Sequence, residues 1–180
     1  MKKPLKKLLM ILAALALLPG QCQGLDKRLL SAAGMQELAE PAPDFTLLSS
    51  SGKKITLSES RGSVVIIHIW ATWCEPCKKE FPLLEKMYKD FKGRGVVFFP
   101  IAVDANMDIK EIDKYAKSLG ATFDIYLAKS GDITEKYWTW GVPVTYFVDK
   151  KGVIIARALG PRDWDSRAVK ALIRTLLDEK

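Results

Sequence analysis

An α/β three-layer sandwich is the fold class this sequence predicts, and three observations predict it. Short runs of β-branched and apolar residues alternate with stretches of helical periodicity from about residue 44 to the C-terminus. The unbroken run Val64 to Trp70 has no polar alternation that would mark a wet face, so it reads as a central, buried strand. Two later runs, Val144 to Val148 and Val153 to Ala158, flank the turn Asp149-Lys150-Lys151-Gly152 and predict paired strands.

The chain has 180 residues, 48% apolar and 27% charged, which suits one globular domain plus an appendage. The appendage is N-terminal. Met1-Lys2-Lys3-Pro4-Leu5-Lys6-Lys7 is basic, and Leu8 to Leu18 is an uncharged apolar stretch of 11 residues, too short to span a bilayer. Together they read as a secretory signal over residues 1–24, with the small residues of Cys22-Gln23-Gly24 placing cleavage after Gly24. Lipid attachment at Cys22 is the competing reading, but a lipoprotein signal wants a small residue before the cysteine, and Gln21 is not small. The formal charge of +7 includes the four lysines of this leader, leaving about +3 without them, so the basicity reflects targeting and not nucleic-acid binding.

Residues 25–41 read as a linker or a short amphipathic helix from Leu25 to Glu40, ended by Pro41-Ala42-Pro43, with the main domain over 42–180. Phe45 to Leu48 and Lys54 to Leu57 flank Ser49-Ser50-Ser51-Gly52, a hairpin signal. Ser58 to Gly62 turns the chain into the central strand. Pro76 to Phe91 is helical, its apolar residues Phe81, Leu84, Met87, Tyr88 and Phe91 recurring at three and four, with Pro82 expected to kink it. Gly95 to Val103 then reads as a buried strand, Asp108 to Leu119 as a helix, Phe123 to Leu127 as a short strand and Asp132 to Tyr137 as a short helix. Trp164 to Leu177 closes the chain as a helix. No apolar stripe is left over once this core is assigned, so a monomer is expected.

Cys74-Glu75-Pro76-Cys77, between the central strand and the helix after it, carries the chemistry. Two cysteines separated by two residues at a helix mouth can close a ring with little strain. One sulfur then sits at the helix N-terminus, where free N–H groups and the macrodipole favour the thiolate, the nucleophile of disulfide exchange. Cys74 is therefore expected to attack and Cys77 to resolve. Structural zinc would need two more ligands, and only Cys22 and His68 are on offer. Haem attachment would need a histidine where Lys78 stands. An inert bridge closing so short a loop would stabilise little, which favours redox use.

In Ala42-Pro43-Asp44-Phe45-Thr46-Leu47, Trp70-Ala71-Thr72-Trp73-Cys74-Glu75-Pro76-Cys77 and Gly141-Val142-Pro143-Val144-Thr145-Tyr146-Phe147-Val148-Asp149, the chain resembles the TlpA/ResA-like extracytoplasmic branch of thioredoxin-fold proteins over about Ala42 to Leu177. The resemblance implies a mixed central sheet, the N-terminal hairpin, and an inserted helix and strand over Asp104 to Phe123. It makes Pro143 a cis-proline facing the dithiol, with Val142 offering its backbone to a docked substrate strand, and it makes Pro76 and Trp73 neighbours of the sulfurs, Trp73 at the rim. Trp70 is the more buried of the two tryptophans before the motif.

Glu75, a glutamate that the ResA-like group shares, either relays a proton at the thiol pair or simply complements the helix dipole. His68 is the chain's only histidine, six residues before Cys74 where thioredoxins place a buried acid and TlpA-like proteins often have Asn. It is a proton acceptor for Cys77, an imidazolium that lowers a sulfur pKa, or a hydrogen-bonded core side chain. Trp138 and Trp140 precede Pro143, and Trp140 is a candidate apolar platform for a protein substrate. Lys78, Lys79 and Glu80 read as a solvated helix face.

The function implied is an exported thiol:disulfide oxidoreductase that reduces protein disulfides. A membrane thiol-electron carrier would re-reduce it, and apocytochrome c would be its substrate in cytochrome c maturation. No nicotinamide, flavin or metal motif appears, so the Cys74/Cys77 dithiol is the redox group, with no further cofactor expected. Alternatives are an oxidase or isomerase of the same fold, separable by reduction potential, and a Cu(I)-binding chaperone. Copper carriers of this fold, however, space their cysteines more widely and add an exposed histidine. A peroxiredoxin's lone reactive cysteine in a Thr/Ser-rich loop is absent.

Overall fold

The computed structural model of the protein describes residues 27–129, 133–137 and 141–179. The expected leader, with Cys22, and both Trp138 and Trp140 lie outside the described residues. The elements are α1 (Lys27–Ala32), β1 (Gln36–Pro41), β2 (Thr46–Leu48), β3 (Lys54–Thr56), β4 (Val64–Trp70), α2 (Glu75–Phe91), β5 (Val96–Ala102), α3 (Ile109–Ser118), β6 (Tyr126–Leu127), β7 (Val144–Val148), β8 (Val153–Leu159) and α4 (Arg167–Asp178). None of the helices among the described residues is long and apolar enough to cross a membrane.

Six strands form one mixed sheet in the order β1-β8-β7-β4-β5-β6. β4 pairs parallel to β5 and antiparallel to β7, so it is central, and all seven of its residues are buried. Side chains alternate across the sheet. Ile66 and Trp70 pack with α2, α3 and α4, Trp70 meeting Phe81 edge-to-face at 4.6 Å, whereas Val65, Ile67 and Ile69 face the hairpin β2–β3, Phe45, Ile133 and Tyr137. His68 falls in the even-numbered register, so it enters the helical side of the core. Burying each such large apolar side chain contributes roughly 2 kcal/mol.

Several expectations are corrected. The stretch before Pro41 is neither a tether nor one helix. After α1, the chain turns at Gly34 and adds β1 antiparallel to β8 as the outer strand of the sheet, with Glu37, Glu40 and Pro41 on an exposed edge. Charged residues and proline suit an edge, where they discourage pairing with another chain. Residues 133–137 form a single hydrogen-bonded turn closed by Tyr137 N–H to Ile133 O, not a helix. The last helix begins at Arg167, capped by the Ser166 hydroxyl, so Trp164 lies ahead of it and is fully buried. The inserted helix is α3, with Asp108 as its cap, and the strand after it starts beyond Phe123, at Tyr126.

Candidate active site

The end of β4 delivers the chain to the mouth of α2. Cys74 is the residue before the helix, in extended conformation, and its Sγ accepts the Cys77 backbone N–H at 3.2 Å. Pro76 occupies the first turn, where a missing N–H costs nothing. Cys74 and Cys77 are joined by a disulfide. Cys77 is fully buried and Cys74 is 4% exposed, so Cys74 is the sulfur nearer to an incoming thiol. The Val142–Pro143 bond is cis, and the Val142 carbonyl oxygen lies 3.4 Å from Cys74 Sγ. Trp73 stands out beside the sulfurs at 68% exposure, while Trp70 is in the core.

Glu75 points to solvent and pairs with Lys78 at 3.1 Å. His68 is fully buried, with Nδ1 hydrogen-bonded to Thr145 Oγ1 at 2.8 Å and Nε2 3.3 Å from Glu80 Oε1, a close approach in which neither Nε2 nor Oε1 has a formed hydrogen bond. Burial pulls its pKa down to about 3, which favours the neutral ring over the imidazolium.

Two residues escaped the sequence reading. Glu80 is not on a solvated face: it is 2% exposed. Its Oε2 accepts the Trp164 indole N–H at 2.9 Å and the Arg162 backbone N–H at 3.0 Å. Burial pushes its pKa up to about 7, against the opposing pull of those two donors and of the Arg162 charge. The signal was its spacing, three after Cys77 and four before Leu84, on the buried stripe of α2. Asp104, just past the C-terminal end of β5, is the second. Its carboxylate accepts the Thr72 backbone N–H at 3.1–3.2 Å and the Thr72 hydroxyl at 2.5 Å, fixing the loop two residues before Cys74.

The arrangement supports nucleophilic chemistry at sulfur: the less buried cysteine at a helix N-terminus, the other sealed behind it, and a backbone carbonyl beside the first.

The AhpC/TSA family model matches residues 38–157. Among curated proteins, the chain is 37% identical over 121 residues to the thioredoxin-like protein YneN of Bacillus subtilis, covering 67% of this chain and 70% of that one. It is 34% identical over 130 residues to the thiol-disulfide oxidoreductase ResA of the same organism, covering 71% and 72% of the two chains. Among solved structures, one from Chlorobium tepidum, provisionally named as a DsbE thiol:disulfide interchange protein, superposes with a TM-score of 0.69 at 28% identity, covering 79% of this chain and 98% of the other.

Proposed function

The chain belongs to the AhpC/TSA family and is a thioredoxin-fold thiol:disulfide oxidoreductase, and from that premise we propose that it is an exported reductant of protein disulfides. One observation carries the reading: Cys74, at the helix mouth beside the Val142 carbonyl, is the approachable sulfur of a pair whose other member is sealed in the core. In the reduced protein the Cys74 thiolate attacks a substrate disulfide, forming a mixed disulfide and releasing one substrate thiolate. Cys77 then attacks Cys74, releasing the second, so two electrons pass to the substrate and the Cys74–Cys77 bond forms. Glu80, buried one helical turn beyond Cys77, is the acceptor we assign to the Cys77 proton.

The basic and apolar leader supports export, and with export comes the need for a membrane thiol carrier to restore the dithiol. Apocytochrome c, whose paired haem-attachment cysteines must be reduced before haem is joined to them, is the substrate class we assign. The test is a peptide carrying an oxidised Cys-X-X-Cys-His segment, mixed with the reduced protein. Release of two peptide thiols per protein oxidised supports the reading. Oxidation of the reduced peptide by the disulfide form, with no reaction in the other direction, would overturn it. Export is tested by fractionation of cells that make the full chain, with the shortened protein expected outside the cytoplasm.

A further inference from the structure

Behind the dithiol, two buried titratable side chains meet. His68 Nε2 and Glu80 Oε1 are 3.3 Å apart, and the other polar atom of each is committed elsewhere: Glu80 Oε2 to the Trp164 and Arg162 donors, His68 Nδ1 to Thr145 Oγ1. The groups around the pair are Thr145 from β7, Trp164 and the Arg162 backbone from the segment before α4, the Phe98 ring from β5, and Cys77 one turn back on α2. The Arg162 guanidinium itself turns to the carbonyls of Gly34 and Pro161.

With the ring kept neutral by its burial, these contacts permit two proton arrangements. With Oε2 saturated by two donors, any proton on Glu80 lies on Oε1. It is then donated to Nε2, so the ring must carry its own proton on Nδ1 and donate it to the Thr145 oxygen. When Glu80 is ionised, Nε2 must be the donor, so the ring proton lies on Nε2, and Nδ1 accepts from the Thr145 hydroxyl. The first arrangement holds one proton more than the second, and the pair gives that proton up to water as pH rises. The ring is neutral in both and need not rotate.

We propose that His68 is a positioning residue for the redox site that works as a tautomeric switch, its ring proton on Nδ1 while Glu80 is protonated and on Nε2 once Glu80 is ionised. The switch serves Glu80 in both states. A side chain that could only donate, or do neither, would leave one state of a buried carboxyl without a partner. His68 thereby sets the pH at which Glu80 is free to take the Cys77 proton, and ties that event to the hydroxyl of Thr145, two residues past Pro143.

This rests on Cys74–Cys77 as the working dithiol. The chain has a single histidine, so ring-15N histidine labelling of protein made without a histidine tag gives spectra of His68 alone. Between pH 5 and 9 the Nδ1–H signature is expected to convert to Nε2–H with a midpoint near Glu80's value of about 7, with no imidazolium in that range. In Glu80→Gln the amide oxygen keeps the two donors and the NH₂ faces Nε2, so the ring is expected to stay Nδ1–H throughout. In His68→Leu the ionised carboxylate loses its donor, and the bend in the pH–rate profile of disulfide exchange is expected to move up by roughly one pH unit. One tautomer from pH 5 to 9 in the unsubstituted protein, or an imidazolium signal, would overturn the proposal. A ring that switches in a protein without exchange activity would instead count against the dithiol reading, and a static ring in an active protein against the switch alone.

Discussion

Asp104 holds Thr72 by both its backbone N–H and its hydroxyl, and so joins the end of β5 to the loop that presents Cys74. Replacing Asp104 with Ala would leave a partly buried N–H unpaired at a cost of about 1–3 kcal/mol. We expect Asp104→Ala to unfold at lower denaturant by that margin and to exchange disulfides several-fold more slowly, with Asp104→Asn recovering most of both. Urea melts and exchange rates on the three proteins check this. Equal exchange rates would remove the positioning role.

Glu75 is the site residue expected to matter least. It is 64% exposed and engaged with Lys78 in the first turn of α2, a surface pair that contributes little. Glu75→Gln should change the rate of exchange by no more than about twofold, the size expected of an exposed charge near the helix start. A tenfold loss would restore the proton-relay reading.

Two buried groups act on the pH dependence of stability with opposite signs. Glu80 has a folded pKa of about 7 against an ordinary 4.5, so the folded form holds the extra proton and stability falls as pH rises between those values. His68 has a folded pKa of about 3 against 6.5, so the unfolded form holds the extra proton and stability falls as pH drops between those values. Between pH 4.5 and 6.5 the slopes cancel, and the oxidised protein should show a plateau. His68→Asn should then lose about 1 kcal/mol per pH unit on going up through this window, and Glu80→Gln about the same on going down. Denaturant titrations at four pH values would show it, and parallel profiles for all three proteins would contradict it.

Gly152 is a position where a side chain should be destabilising. Its φ is +79°, and a Cβ there would fall 0.6 Å from Nη1 of Arg61, whose guanidinium donates to the Lys151 carbonyl across the turn. Gly152→Ala is expected to cost at least about 1 kcal/mol in thermal or chemical melts, from the left-handed backbone plus the displaced arginine. Stability unchanged by the substitution would count against this account of the turn.

Much of this architecture was legible because the elements that build it are buried on both sides. Val64–Trp70 and Val144–Val148 occupy the bounds their apolar runs announced, since a strand covered by helices and hairpin is almost wholly apolar, its one polar residue in each case, His68 and Thr145, being paired with the other. β1 was not legible. Nearly every residue of Gln36–Pro41 is exposed, so its strand character comes from pairing with β8 and leaves no pattern in its own residues. Trp164 was counted into the last helix because it fits the apolar period, but it is a core residue whose N–H goes to Glu80. Glu80 itself was hidden by its neighbours. In a run with Lys78 and Lys79 an acid looks solvated, and only its register with Cys77 and Leu84 showed which way it faced.

The reduction potential of the Cys74/Cys77 couple tests the central claim most directly. Equilibrated against dithiothreitol or glutathione and followed by tryptophan fluorescence, a reductant supplied from the membrane should lie near or below about −270 mV. A potential near about −120 mV would make the protein an oxidant of its substrates, and the direction of electron flow proposed here would be wrong.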